Sequence, residues 1–195
     1  KGASKKAALA SALGEYFERL STNYFFADLG HRLATDAEGN YNAELGMERI
    51  RKYASDFGLN EKSGIELDEA EPRISDYDPE RSAMGQGNHA FNTAQLAKYI
   101  TAVANGGNLY NLSIVDKIAD PKGKTVEEVG ASLLRHLDYA DSTWNAVHEG
   151  LRKVITEGVA KNVFLGQNIS VAGKTGTAQE REDRGNHAVF VSYAP

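Results

Sequence analysis

The sequence predicts an α+β fold, with helices packed beside a small antiparallel sheet. Three observations lead there. Apolar residues recur at helical spacing in separate stretches: Leu9, Leu13, Phe17 and Leu20; Met47, Ile50, Tyr53, Ala54 and Phe57; Trp144, Val147, Leu151, Val154 and Ile155. Two β-prone runs, 168–179 and 187–193, flank a polar tip at 180–186 and read as a hairpin. The length of 195 residues fits one domain, taken as 1–195.

Composition narrows the function before any motif is read. At 41% hydrophobic and 25% charged residues the chain can bury a sizeable core. A net charge of −5 with no basic block argues against a nucleic-acid partner. There is no run of about 18 apolar residues, the length a spanning helix requires, and Lys1 to Lys6 precedes an amphipathic stretch, unlike a signal peptide. The absence of cysteine removes disulfides, thiolate catalysis and thiolate metal sites. No metal or other cofactor is expected.

The first helix, over 7–20, stops at Ser21-Thr22-Asn23, three residues that cap helices well, and a second resumes at Tyr24 with Phe25, Phe26, Leu29 and Leu33 on one side. The loop Asp36 to Asn42 carries acidic residues and a glycine, but not at the offsets of a calcium loop. A helix around Met47 to Phe57 ends at Gly58. Leu59 to Leu67 reads as a loop with a short strand, and Asp68 to Pro79 as an acidic, proline-punctuated loop. Met84-Gly85-Gln86-Gly87 reads as a tight packed loop, since neither a preceding strand nor a Gly-Lys-Ser/Thr ending makes it a phosphate loop.

Asn92-Thr93-Ala94-Gln95 is a capping box opening a helix that carries Leu96, Ile100, Val103 and Ala104, with Lys98 its only charge. That helix should be largely buried. The turn Asp120-Pro121-Lys122-Gly123 predicts a hairpin between Leu112–Ile118 and Thr125-Val126. Residues 128–140 give no clear pattern. Asp141-Ser142-Thr143 is expected to cap the Trp144 to Ile155 helix, which Gly158 ends.

The stretch Val171 to Gln179 holds the chemistry. Lys174 offers a point charge, Thr175 and Thr177 offer hydroxyl donors, and Gly176 lets a ligand's backbone come close. Together they form an anion-binding ledge on an exposed strand. Strand alternation sets one difficulty: it puts the two threonines on one face and Lys174 on the other. The five histidines share no ligand spacing and receive no role.

Several segments, in order, resemble the class B penicillin-binding transpeptidases. Ser21-Thr22-Asn23 is similar to that family's Ser-x-Asn signature, and Lys174 to Gln179 to its Lys-Thr-Gly signature. Between them, Arg49 to Leu59, Ser63 to Leu67, Met84 to Gly87, Thr93 to Ala97 and Ala102 to Gly107 look like the same group, as does His187 to Pro195. The resemblance implies a penicillin-binding/beta-lactamase-like fold. It also implies acyl transfer on peptidoglycan stem peptides ending in D-Ala-D-Ala, through a serine acyl-enzyme that beta-lactams trap.

On that resemblance, Ser21 would relay a proton near the leaving group, and Asn23 would donate its amide to the substrate backbone. Lys174 would raise the local positive potential. Thr175 and Thr177 would bind the substrate's carboxylate, and the Thr177 N–H would supply half of an oxyanion hole. Implied partners are stem peptides, beta-lactams and proteins of cell division or elongation, on the extracytoplasmic face of a bacterial membrane.

One departure matters. The family's nucleophile signature, Ser-x-x-Lys, occurs nowhere in the 195 residues. The chain is therefore expected to be part of a transpeptidase domain, without its nucleophile helix and one sheet strand, and inactive alone. An uncovered sheet edge would offer a route to dimerisation. A non-catalytic module that recognises cell-wall peptides or a division partner, and a serine beta-lactamase or carboxypeptidase relative, are the competing readings.

Overall fold

The structure, a computed structural model, describes residues 23–178 and 185–194. Its elements run α1 (Asn23–Leu33), α2 (Ala43–Asp56), α3 (Pro79–Ala83), α4 (Thr93–Ala104), β1 (Asn108–Asn111), β2 (Lys117–Ala119), β3 (Thr125–Glu128), β4 (Ser132–His136), α5 (Asp141–Thr156), α6 (Lys161–Phe164), β5 (Ala172–Ala178) and β6 (His187–Tyr193). Among the described residues the strands form three antiparallel pairs: β1 with β4, β2 with β3, and β5 with β6. The α+β class and the antiparallel pairing follow the sequence reading. None of the described helices is long and apolar enough to cross a membrane.

The core that carries the site lies where α4 and α5 meet the β5–β6 hairpin. Ile100 and Val103 of α4, Leu151 of α5 and Ala172 of β5 are buried together, with Phe57, Tyr99, Val147, Val191 and Tyr193 packed around them. Removing those side chains from water is the main force seating the hairpin on the helices. A second cluster, Val154, Ile155 and Ala160, continues the seam under α6 and Val171.

Side-chain caps set the starts of α2, α3 and α4. The Asn42 side chain accepts from the N–H groups of Glu44 and Leu45 at the start of α2, and Asn92 with Gln95 forms the expected capping box at α4. Gly58, with φ of 76°, turns the chain out of α2 where a side chain would be strained.

Some expectations fail for identifiable reasons. Asp141 is the first residue of α5 and Ala140 occupies its cap without a side-chain bond, so Asp141-Ser142-Thr143 acts as an acidic first turn. Residues 168–171 are irregular, and the ledge strand begins only at Ala172, opposite Tyr193 at the end of β6. Likewise 59–67 contains no strand, and of 112–118 only Lys117 and Ile118 fall in β2. Isolated β-propensity lacks a neighbour there to bond with. Leu29 is 39% exposed, and the buried contact of α1 is made by Gly30. Lys98, the one charge of α4, is 1% exposed and inside the structure.

Candidate functional site

β5 and β6 pair without a break in register, from Ala172 opposite Tyr193 to Ala178 opposite His187. Alternation therefore holds along the ledge. Lys174 shares the face of core residue Ala172, toward α4 and α5. Thr175 and Thr177 share the other face with Phe190, the cross-strand partner of Thr175. On that face Phe190 packs against Phe164 of α6, ring centroids 5.7 Å apart.

The difficulty posed by alternation is met by the length of the lysine stem. Lys174 Nζ donates to the Thr175 carbonyl at 2.7 Å, so the ammonium comes round to the strand's own backbone. Two residues on, the Thr177 carbonyl accepts from Gln86 Nε2 at 3.2 Å. Residues two apart in an antiparallel strand turn their N–H and C=O groups to the same edge. Both carbonyls take donors from outside β6, so that edge is the one facing away from β6. The Thr177 N–H points the same way. The ledge thus presents a backbone donor, two hydroxyls and an ammonium along one strand edge.

Gly176 is informative because the fold does not require it. Its φ lies outside the left-handed range, and a Cβ built there would meet nothing nearer than Val189 at 3.8 Å, an ordinary contact. A bare backbone on an exposed strand position leaves room for something outside the chain.

The other segment expected at the site leads into α1. Asn23 is its exposed first residue; Ser21 lies outside the described residues. α1 is fastened to α3 at very short range. A Cβ on Gly30 would fall 2.3 Å from the Pro79 carbonyl oxygen, so only glycine permits the approach. His31 Nδ1 lies 3.0 Å from Glu80 Oε1, and Tyr41 Oη donates to Glu80 Oε2 at 3.1 Å. Burial would raise the Glu80 pKa, but its bonds from His31 and Tyr41 outweigh that and hold it below the usual carboxylate value.

α1 and β5 are linked through α3 and the loop that follows it. Gln86 N–H donates to the Arg81 carbonyl (2.9 Å) and Gly85 N–H to the Ser82 carbonyl (3.0 Å). Gly87 has φ of 89° and packs where a Cβ would lie 2.6 Å from Ser75 Oγ. His89 clamps the base: its Nδ1 accepts from Ser75 N–H at 3.0 Å, while Nε2 faces the Ser82 carbonyl at 3.1 Å. That pairing requires the neutral tautomer with its proton on Nε2. Burial lowers the His89 pKa, partly opposed by the bond to Ser82.

Of the six residues expected at the site, Lys174, Thr175, Gly176 and Thr177 follow one another on β5, Asn23 begins α1 with no described contact to them, and Ser21 lies outside the described residues. Gln86 was not anticipated. Its signal was a polar residue held between two glycines, a pattern that presents a side chain and has no packing purpose of its own.

The family model for the penicillin-binding protein transpeptidase domain matches residues 14–195, and the chain belongs to that family. It is 30% identical over 187 residues to the stage V sporulation protein D of Bacillus subtilis (strain 168), covering 90% of this chain and 27% of that protein. The chain thus spans about a quarter of the length of that relative. Penicillin-binding protein 2B of Streptococcus pneumoniae (strain R6) superposes with a TM-score of 0.80 at 24% identity, over 93% of this chain and 33% of that one, and so shares its fold. A shorter match, 48% over 88 residues, reaches the ribosomal protein S12 methylthiotransferase accessory factor YcaO of Escherichia coli (strain K12). It covers 44% of this chain and 13% of that protein, whereas the family match takes in nearly the whole chain.

Proposed function

We propose that the chain supplies the substrate-binding walls of a serine-type D,D-transpeptidase that cross-links peptidoglycan stem peptides and is trapped by beta-lactams. The observation that carries this reading is the edge of β5. It offers the Thr175 and Thr177 hydroxyls and the Thr177 N–H beside Lys174, with no side chain at Gly176. A peptide ending in a carboxylate fits such an edge: the hydroxyls bind the carboxylate with charge-assisted bonds worth about 1.5–3 kcal/mol each. The Thr177 N–H faces the oxygen of the carbonyl under attack. Asn23 receives the peptide backbone from the opposite wall, and Ser21 relays the proton. The enzyme works on the extracytoplasmic side of a bacterial membrane, beside proteins of division or elongation.

The reacting serine is not among these residues, because no Ser-x-x-Lys occurs in the sequence. The 195-residue chain therefore binds without acylating. A second reading, a non-catalytic module that holds cell-wall peptides, applies if the full-length protein also lacks Ser-x-x-Lys. Labelling the full-length protein with a fluorescent penicillin separates the two. A covalent, serine-dependent adduct establishes the transpeptidase. Reversible binding of stem peptide with no adduct establishes the module, and no binding of either ligand removes both.

A further inference from the structure

We propose that Gln86 is a positioning residue for the ledge: its side-chain amide holds Thr177 so that the strand's free edge is set before a ligand arrives. The inference rests on the proposed reading of β5 as a peptide-binding edge, and it adds a residue that the ledge itself does not contain.

The argument starts from the weakness of the ledge. β5 is paired along one edge only among the described strands. It enters the segment 179–184 directly after Ala178, and Thr177 is exposed. A strand end of this kind frays unless a second group holds it. Gln86 is that group. Its Nε2 donates to the Thr177 carbonyl across 91 positions of sequence.

The anchor behind Gln86 is stiff. The Gln86 N–H is tied to the Arg81 carbonyl and the Gly85 N–H to that of Ser82. The Ser82 hydroxyl donates to the Tyr77 carbonyl at 2.8 Å. Behind them, the neutral His89 ring joins Ser75 to Ser82. Gly87 fits a position where any side chain would strike Ser75. A donor on a rigid loop that accepts no other conformation can fix what it touches. Because N–H and C=O of one residue share an edge, fixing the Thr177 carbonyl also fixes its N–H.

Chemistry restricts which side chains could do this. The contact needs an N–H donor at the end of a chain of glutamine's length. Asparagine falls one methylene short, and glutamate of the same shape offers an acceptor to an acceptor.

The test uses amide hydrogen exchange followed by NMR on the 195-residue chain without ligand, for wild type, Gln86→Ala and Gln86→Glu. Exchange at Gly176 and Ala178, whose N–H groups face β6, is expected to quicken about threefold to tenfold in both variants, the worth of one neutral hydrogen bond. The amides of α4 and α5 should keep their wild-type rates. Unchanged rates at Gly176 and Ala178 would overturn the proposal, as would equal acceleration everywhere, which reports general destabilisation. A Gln86→Lys variant, which restores a donor at the end of a longer stem, should recover part of the protection. A separate titration with a D-Ala-D-Ala peptide tests the ligand reading alone, so loss of one conclusion does not remove the other.

Discussion

The Lys98 ammonium sits 3.7 Å from Glu61 Oε1 while it donates to the Lys62 carbonyl at 3.1 Å, and only 1% of the lysine side chain meets solvent. The same carboxylate oxygen accepts from Arg135 Nη2 at 2.6 Å. One acid therefore serves two cations, one on α4 and one on β4, and β4 is further tied to the end of α2 because Arg135 also donates to the Ser55 and Asp56 carbonyls. Glu61→Ala leaves a buried ammonium without a counter-charge. Since Glu61 is itself partly solvated, the expected cost is about 2 kcal/mol, below the range for fully buried pairs, read as a lower urea midpoint with unchanged slope.

Burial depresses the Lys98 pKa below its ordinary 10.5, with Glu61 opposing the shift. The unfolded chain then holds that proton more tightly than the folded one. Stability contributed by this group must rise as pH climbs toward 10.5, where the unfolded lysine also loses its charge. Urea melts across that interval should show the rise in wild type and its loss in Lys98→Met.

His89 gives the matching prediction at the acid end. Its folded pKa lies below the histidine reference of 6.5 because of burial. Its Nδ1 can accept from Ser75 only while unprotonated. The unfolded chain binds the proton first, so the contribution is complete above 6.5 and is lost as pH falls through and below that value. Melts between pH 7.5 and 5 should show a decline that His89→Gln flattens. An equal decline in both proteins would mean that other groups set the acid limit.

Gly30→Ala tests the seam between α1 and α3. In a free helix the change would help by roughly 1 kcal/mol. Here the methyl would meet the Pro79 backbone at 2.3 Å, where nothing flexible can yield. A net loss of about 2 kcal/mol is expected, and thermal melts of the single variant would measure it.

Gly176→Ala and Thr177→Val separate ligand binding from folding. Neither site is buried, and Gly176 has room for a methyl, so stability should stay within about 0.5 kcal/mol of wild type. Affinity for a D-Ala-D-Ala peptide should fall about tenfold or more in Thr177→Val through the lost charge-assisted bond. Gly176→Ala should reduce it by crowding the edge. Calorimetric titration reads both, and unchanged affinities would remove the ledge from the binding reaction.

How far these features could be read in the sequence depended on their range. The capping box at Asn92, the Asp120 to Gly123 turn and the β5–β6 hairpin are local patterns, and residues within a few positions dictate them. The ledge was legible for the same reason, as Lys174 to Thr177 is one unbroken run. The burial of Lys98 was not legible, because a single charge on an apolar helix normally lies at the surface. What buries it is Glu61 and the Lys62 carbonyl, 36 residues away at the nearest bond. Gln86 escaped because its meaning is a contact across most of the chain. No periodicity encodes that.

The five residues of α3, with the turn that follows, work as a ruler. One end is butted against Gly30 and the other delivers Gln86 to Thr177. A residue added to or removed from a helix shifts its far end by about 1.5 Å and swings it through roughly a quarter of a turn. The reach from α1 to the end of β5 is accordingly measured out in the spacing from Pro79 to Gln86. Substitutions along that span can leave the reach as it is, whereas insertions or deletions would reset it.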